Sequence, residues 1–368
     1  MSLPTAHPGP VRPKKLPLRA VLLLPAGAAL LLGLDAALLL LKLPAPLDVE
    51  RLPKVHGMLL VLGFLGTLIS LERAIALRAK WGFLAPALLG IGAVLLVTPA
   101  PIRVGQAFLI LGAALVVAVY VPLWRRQFDE AVLVQLLGAV FALGAAILWF
   151  GGVEMPLLLI WLVAFIILTI CGERLELARI AMGPNAGLIL LVLAAALSVG
   201  AAAALLFPQV GSVFFGAALA VLIGWLLRHD VARRTVKTTG LTRYMAVCML
   251  AGYAWALVAA AMWLTNGQIV SGDEYDVVIH AIFLGFTMSM VMAHAPVIFP
   301  AVLSRPLEYH WAFYLPVGLL HASLVGRIWF GDFLSVPGFW RASAVLNIVA
   351  LLLFVLTAAT RVVQGAKE

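Results

Sequence analysis

The sequence predicts an all-α, polytopic membrane protein of about twelve transmembrane helices. Of its 368 residues, 64% are hydrophobic and only 11% are charged, whereas soluble globular chains are about half apolar. Apolar stretches of about 20 residues, long enough to cross a hydrocarbon core of about 30 Å as a helix, recur along the chain. The predicted helices lie near 18–41, 54–76, 82–101, 104–124, 130–151, 155–176, 185–207, 210–228, 241–265, 276–299, 311–330 and 338–362.

The basic residues predict the orientation of these helices. With the N-terminus inside, all but six of the 25 Lys and Arg residues fall on the cytoplasmic side, as the positive-inside rule requires. The six outside are Lys42, Arg51, Lys54, Arg103, Arg327 and Arg341. The net charge of +9 therefore needs no nucleic-acid partner. We expect a bacterial-type cytoplasmic (inner) membrane protein with both termini cytoplasmic and the lipid bilayer as its surroundings.

Little of the chain lies outside the predicted helices. The basic run at residues 12–15 precedes a helix without a small-residue cleavage site, so residues 1–17 are interpreted as a retained cytoplasmic tail. The longest polar connection, about 229–240, is too short to fold alone. Cys171 and Cys248 both lie in or beside apolar helices, and neither a disulfide framework nor a thiolate metal site is expected.

A short motif recurs in the second, sixth and tenth predicted helices, which indicates an internal repeat. Each copy has a small residue and Phe, then seven residues, then Glu-Arg or His. The copies are Gly63-Phe64 with Glu72-Arg73, Ala164-Phe165 with Glu173-Arg174, and Gly285-Phe286 with His294. Because they are about 100 and 120 residues apart, the motif predicts three four-helix units, 18–126, 127–240 and 241–368, after the tail.

Two histidines are candidate haem ligands. His56 and His280 begin the second and tenth helices at similar depth near the outer face, and two imidazoles can ligate a haem iron axially. Gly63, Gly66 and Gly285 nearby would let a flat macrocycle approach the backbone. The alternative is that both histidines are interfacial residues hydrogen-bonded to loops.

Other outer residues complete this predicted haem b site. Arginine pairs well with carboxylates, so Arg51, Arg327 and Arg341, together with Lys54, are candidate partners of haem propionates. Asp35, inside the first helix, is a candidate for holding a ligand histidine in place. It could equally cap a neighbouring helix.

A second cluster is predicted at the cytoplasmic helix ends. Glu72, Glu173 and His294 occupy equivalent repeat positions, with His310 on the next helix. Carboxylates and imidazoles could bind a second metal ion such as iron, copper or zinc. The alternative is a set of salt-bridged anchors, since each Glu precedes an Arg. A second haem would need His310 or His321, and His321 is expected to be a packed, hydrogen-bonded residue.

These features resemble two families. Twelve helices in three units, with histidines of the second and tenth helices near the outer face, resemble subunit I of haem-copper oxidases. His56-Gly57-Met58-Leu59 with Gly63-Phe64, and His280-Ala281 with Leu284-Gly285, are similar to segments of the NnrS family. The matches cover about 40 residues. The resemblance implies an oxidase-subunit-I-like fold, a b-type haem, a small gaseous ligand such as nitric oxide or a role in respiratory electron transfer, and a redox partner on the outer face.

The sequence also departs from both families. Residues 155–207 contain no histidine for a copper site, and Val278-Ile279-His280 replaces the oxidase His-x-His. Gly57 replaces the Glu of the NnrS motif. Oxygen reduction is therefore not predicted, and the sequence leaves open whether the protein is an enzyme. The competing interpretations are a multi-helix transporter and a cofactor-free membrane assembly subunit.

Overall fold

The computed structural model describes residues 17–305 and 307–364, and these fold entirely into helices and connecting turns. Most of the predicted N-terminal tail lies outside the described residues. Eleven of the described helices are long and apolar enough to cross a membrane. They are α1 (Leu18–Leu40), α2 (Leu52–Leu77), α4 (Ile102–Gln127), α5 (Glu130–Phe150), α6 (Met155–Met182), α7 (Ala186–Leu206), α8 (Pro208–His229), α9 (Gly240–Asn266), α10 (Gly272–Leu303), α11 (Trp311–Phe333) and α12 (Pro337–Gln364), and α3 (Lys80–Leu95) is shorter.

The third helix is shorter than predicted, whereas α6 and α10 are several residues longer than predicted. The sequence predicts a helix over 82–101, but α3 ends at Leu95. Two prolines, Pro99 and Pro101, follow closely, and proline removes a backbone donor and disfavours the helical conformation of the residue before it. At 1.5 Å per residue α3 is about 24 Å long, shorter than the hydrocarbon core.

Prolines elsewhere do not break the helices. Pro122 lies inside α4, and Pro296 and Pro300 lie inside α10, which continues to Leu303. Pro156 occupies the first turn of α6, where its missing N–H would be unsatisfied anyway. In the part of the chain that the structure describes, the unwound helices typical of transporter substrate sites are not formed at these prolines.

Three helices contain π-helical segments, in which the turn is wider than in an α-helix. They are Leu59–Gly66 in α2, Ala281–Met288 in α10 and Gly326–Phe333 in α11. The first two segments are related by the same offset that relates Gly63 to Gly285. The local backbone geometry of α2 and α10 therefore follows the repeat motif, although the three-unit arrangement itself stays a prediction.

Neighbouring helices in the sequence also pack together in space, from α1 with α2 through to α11 with α12. The main backbone contacts between helices two apart join α1 with α3, α2 with α4, α5 with α7 and α6 with α8. All four of these contacts fall within the predicted units 18–126 and 127–240. In the last predicted unit, the ring of Tyr244 of α9 contacts the ring of Tyr314 of α11, which joins two helices that are two apart in the sequence.

The glycines of the repeat motif serve helix packing. A Cβ atom at Gly63 would lie 2.5 Å from the Cβ of Ala93, and one at Gly285 would lie 2.4 Å from Cγ of Trp255. These positions bring α2 against α3 and α10 against α9. The interpretation that the two glycines make room for a macrocycle is therefore wrong, because helix neighbours already occupy that space.

Substitution of Gly63 by alanine should destabilise the bundle. The added methyl group must displace Ala93 and Ala29, and such overpacking costs about 1–3 kcal/mol. Gly224 of α8 is the matched control, because no atom lies within 4 Å of a Cβ built there, and alanine is the better helix former. Thermal unfolding in detergent should show a lower midpoint for Gly63→Ala and no loss for Gly224→Ala. Equal midpoints would contradict the packing role.

Candidate functional site

His56 of α2 and His280 of α10 are held in the same way. Nδ1 of His56 lies 2.8 Å from the carbonyl oxygen of Gly33, and Nδ1 of His280 lies 2.8 Å from that of Asp276. A carbonyl oxygen only accepts, so each Nδ1 donates its proton, and in the neutral ring Nε2 retains a lone pair. Neither Nε2 is hydrogen-bonded to another described residue. The His56 ring is close enough to interact electrostatically with His280 and Arg327.

Asp276 ties His280 to two other helices. Its carboxylate accepts two hydrogen bonds of 2.7 Å from Arg327 of α11 and one of 3.2 Å from Nε1 of Trp340 of α12. Oδ1 of Asp276 also lies 3.2 Å from Nδ1 of His280. The Arg327 guanidinium lies over the Trp340 ring, 5.0 Å from its centre. Three side chains from three helices thus fix the position of the His280 ring.

The sequence did not identify Asp276 or Trp340. Asp276 could have been recognised from its position, because a carboxylate four residues before a histidine lies on the same face of a helix and can contact it. Trp340 gave none, since only the tertiary fold brings α12 beside α10. Both residues belong to the site through their contacts with Arg327 and His280.

Several predicted site residues lie elsewhere. Asp35 accepts a hydrogen bond of 3.1 Å from the backbone N–H of Leu47, so it anchors the α1–α2 loop. The partner of His56 is the carbonyl oxygen of Gly33 instead. Arg51 donates to carbonyl oxygens between α3 and α4, and Arg341 donates to that of Lys42. These residues fasten loops at the end of the bundle that carries the two histidines. Of the cationic side chains predicted to meet propionates, Arg327 is linked to His280 through Asp276.

At the other end of the same helices, Glu72, Glu173 and His294 line one cavity, as their equivalent positions predict. The cavity lies between α1, α2, α6 and α10, and its other walls are mostly apolar. The volume of the cavity that the centre of a water molecule can occupy is about 80 Å³. His310 is not part of its lining. It accepts a hydrogen bond of 3.1 Å from the Ala312 backbone at the start of α11 instead.

Arg73 occupies the centre of the acidic cluster. It pairs directly with Glu72, lies 3.1 Å from Glu176 and from Gln135, and lies 3.9 Å from Glu173. No group of three or more His, Cys, Asp or Glu side chains within the described ranges is placed to hold a metal ion. The geometry therefore does not support a second metal site at Glu72, Glu173, His294 and His310, because a guanidinium supplies the positive charge that a metal would bring.

The equivalent arginine of α6, Arg174, forms a buried ion pair. It donates two hydrogen bonds, of 2.9 and 3.0 Å, to Asp230 in the α8–α9 connection, and Tyr253 of α9 donates a third at 2.7 Å. Its Nη1 lies 3.3 Å from Nε2 of His294. Burial alone would raise the pKa of Asp230, but the Arg174 guanidinium and the other donors hold the pKa of this carboxyl below its usual value.

His321 of α11 is fully hydrogen-bonded, as the sequence predicts for a packed residue. Its Nδ1 accepts a hydrogen bond of 3.0 Å from Trp255, and its Nε2 lies 3.4 Å from Oγ of Ser289. With His294 bonded at both nitrogens, neither ring has a free nitrogen for a second haem.

Comparison with known proteins gives a family without an activity. No curated protein and no solved structure matches the chain. The model of one family matches residues 19–363, which include all twelve helices apart from the end residues of α1 and α12. The chain belongs to this family, which is described as a domain of unknown function (DUF8744).

Proposed function

We propose that this protein is a membrane b-type haem protein in which His56 and His280 are the axial ligands. One observation carries the proposal. Two imidazoles on facing helices are each fixed through Nδ1 by a carbonyl oxygen, and each keeps Nε2 for a ligand. Ligand histidines in proteins are oriented in this way by a bond from the other ring nitrogen. When bound, a haem supplies one-electron exchange or a site for a small gas.

The described residues fit such a group. His280 is mostly buried, its side chain being 17% exposed, and His56 is half-buried. Arg327 is bonded to Asp276, the partner of His280, and is within electrostatic range of His56. It carries the positive charge that a propionate requires, although Asp276 already shares that charge. In this proposal the protein's own side chains hold the two rings in position for the haem iron.

The arrangement of the bundle supports an oxidase-like organisation as part of the proposal. The π-helical segments of α2 and α10 keep the repeat offset, and α2, α6 and α10 surround a common cavity. In this proposal the protein lies in a bacterial inner membrane with the histidines towards the outer face. It then exchanges electrons with a redox partner there or binds a small gas such as nitric oxide.

Haem content tests the proposal directly. We expect protein purified in detergent after haem-supplemented expression to contain about one haem b and one iron per chain, measured by organic extraction and by metal analysis. Zinc, copper and manganese should stay below stoichiometric amounts, because the inner cluster holds an arginine in place of a metal. Colourless protein without iron would refute the proposal.

Asp276→Asn should weaken haem binding without abolishing it. The substitution removes the carboxylate that positions His280 and leaves Arg327 without its partner. Loss of such a supporting residue typically costs about 10–100-fold in affinity. Haem titration of the haem-free protein measures the dissociation constant. Asp35→Asn is the control and should not change it, because Asp35 bonds a loop. An unchanged dissociation constant in Asp276→Asn would show that Asp276 does not position the ligand.

A further inference from the structure

The cavity lined by Glu72, Glu173 and His294 is called the inner cavity. Of its two carboxylates, Glu173 is the one whose negative charge is less well balanced by a nearby cation. Its nearest cation is Arg73 at 3.9 Å, and Arg73 already pairs with Glu72 and Glu176 at shorter distances. The neighbouring Arg174 is engaged by Asp230. The Glu173 side chain is only 14% exposed.

All the ionisable groups around Glu173 can be counted by helix. They are Glu72 and Arg73 of α2, Tyr120 of α4, Cys171, Arg174 and Glu176 of α6, Asp230 after α8, Tyr253 of α9 and His294 of α10, and α5 contributes the neutral Gln135. Asp230 neutralises Arg174. Three carboxylates then share the single charge of Arg73, and Glu176 is exposed enough to be solvated. One buried negative charge remains, and an isolated carboxylate inside a protein is costly unless it is neutralised.

A separate observation indicates solvent at this cluster. Tyr120 is 1% exposed, and its hydroxyl has no hydrogen-bond partner among the described residues. It lies within electrostatic range of Arg73, Glu72 and Glu173. Nε of Arg73 is also buried without a partner. Buried polar groups are nearly always hydrogen-bonded. The cavity that Glu72 and Glu173 line, with about 80 Å³ open to water, has room for several water molecules.

We propose that Glu173 binds an exchangeable proton in a hydrated cavity that it shares with Glu72 and His294. A carboxylate oxygen takes the proton from a hydronium ion, which leaves as water, and the resulting hydroxyl donates to a cavity water or to Glu72. The net negative charge of the cluster falls by one. This inference goes beyond the haem proposal and does not depend on it. His294 lies 14 residues after His280 on α10, so the proton site is about 21 Å along the helix from the histidine pair.

Infrared spectroscopy of the purified protein at neutral pH tests the proposal. A protonated carboxylic acid has a C=O stretching band apart from the amide and carboxylate bands. We expect such a band in the wild type, shifted in D₂O because the cavity is hydrated, and absent in Glu173→Gln. The matched control Glu176→Gln removes an exposed carboxylate of the same helix and should keep the band. Absence of the band, or its survival in Glu173→Gln, would overturn the assignment.

A chemical probe gives a second test that needs no variant. A hydrophobic carbodiimide adds to protonated carboxyl groups in apolar surroundings, and peptide mass spectrometry locates the adduct. We expect the wild-type protein to be labelled at Glu173, more extensively as pH falls. Absence of labelling at Glu173 would overturn the proposal. Protection by Na⁺ or K⁺ at constant pH would also overturn it, because the cavity would then hold a metal cation in place of the proton.

Discussion

His280→Ala is expected to abolish haem binding, and His56→Ala is expected to abolish it or leave a high-spin, five-coordinate haem. The two rings differ in how they are held. His280 is supported by Asp276, which is itself bonded to Arg327 and Trp340, whereas His56 is held by one carbonyl oxygen. The better supported ring should keep a haem on its own more readily. Absorption spectra of the purified variants show both the amount of haem and its spin state.

His229→Ala is the matched control for this experiment. His229 ends α8, bonds the carbonyl oxygen of Trp225 and stacks on its ring, so it resembles the ligand candidates in its Nδ1 contact. It lies at the predicted cytoplasmic end, and its removal should leave the spectrum unchanged. A six-coordinate spectrum that persists in both His56→Ala and His280→Ala would contradict the ligand assignment.

Asp230→Asn should cause the largest loss of stability among the polar substitutions considered. The carboxylate accepts two hydrogen bonds from Arg174 and one from Tyr253. Removing its charge leaves a buried guanidinium uncompensated, which typically costs about 3–5 kcal/mol. Thermal unfolding at neutral pH in detergent measures the effect. The control Glu130→Gln breaks a half-exposed pair with Arg179 and should cost about 0–1 kcal/mol.

The pH dependence of this loss has a definite sign. The pKa of Asp230 is lower in the folded protein than in the unfolded chain, where it is about 3.9. The carboxylate therefore stabilises the fold fully above that value and loses this contribution as pH falls through the folded pKa. The difference between wild type and Asp230→Asn should shrink as the solution is acidified below about pH 4. A difference that is constant with pH would contradict the assigned ion pair.

The helical bundle could be predicted from the sequence because each membrane span is a continuous run of apolar residues. Among the described residues, eleven of the twelve predicted helices are long and apolar enough to span a membrane. The error at α3 arose because apolar residues 96–101 continue a hydropathy pattern that Pro99 and Pro101 interrupt. The histidine pair and the acidic inner residues could be found because ionisable groups inside apolar helices are rare. Their convergence on one cavity followed from the repeat motif.

The contacts of these residues could not be predicted in the same way. Arg51 and Arg341 have the right charge and side of the membrane for a propionate, but the fold directs them to backbone carbonyls of other loops. Asp35 turns to the loop after its own helix. Trp340 reaches Asp276 only because α12 packs against α11 and α10. Such pairings depend on helix rotation, which composition and hydropathy leave undetermined.

The visible spectrum of the purified wild-type protein, oxidised and then reduced, tests the central claim most directly. If His56 and His280 ligate one haem together, the reduced spectrum should show the sharp α-band of a low-spin, six-coordinate b-type haem, and the oxidised spectrum should also be low-spin. A colourless preparation after haem-supplemented expression, or a haem that is high-spin in both states, would contradict the account.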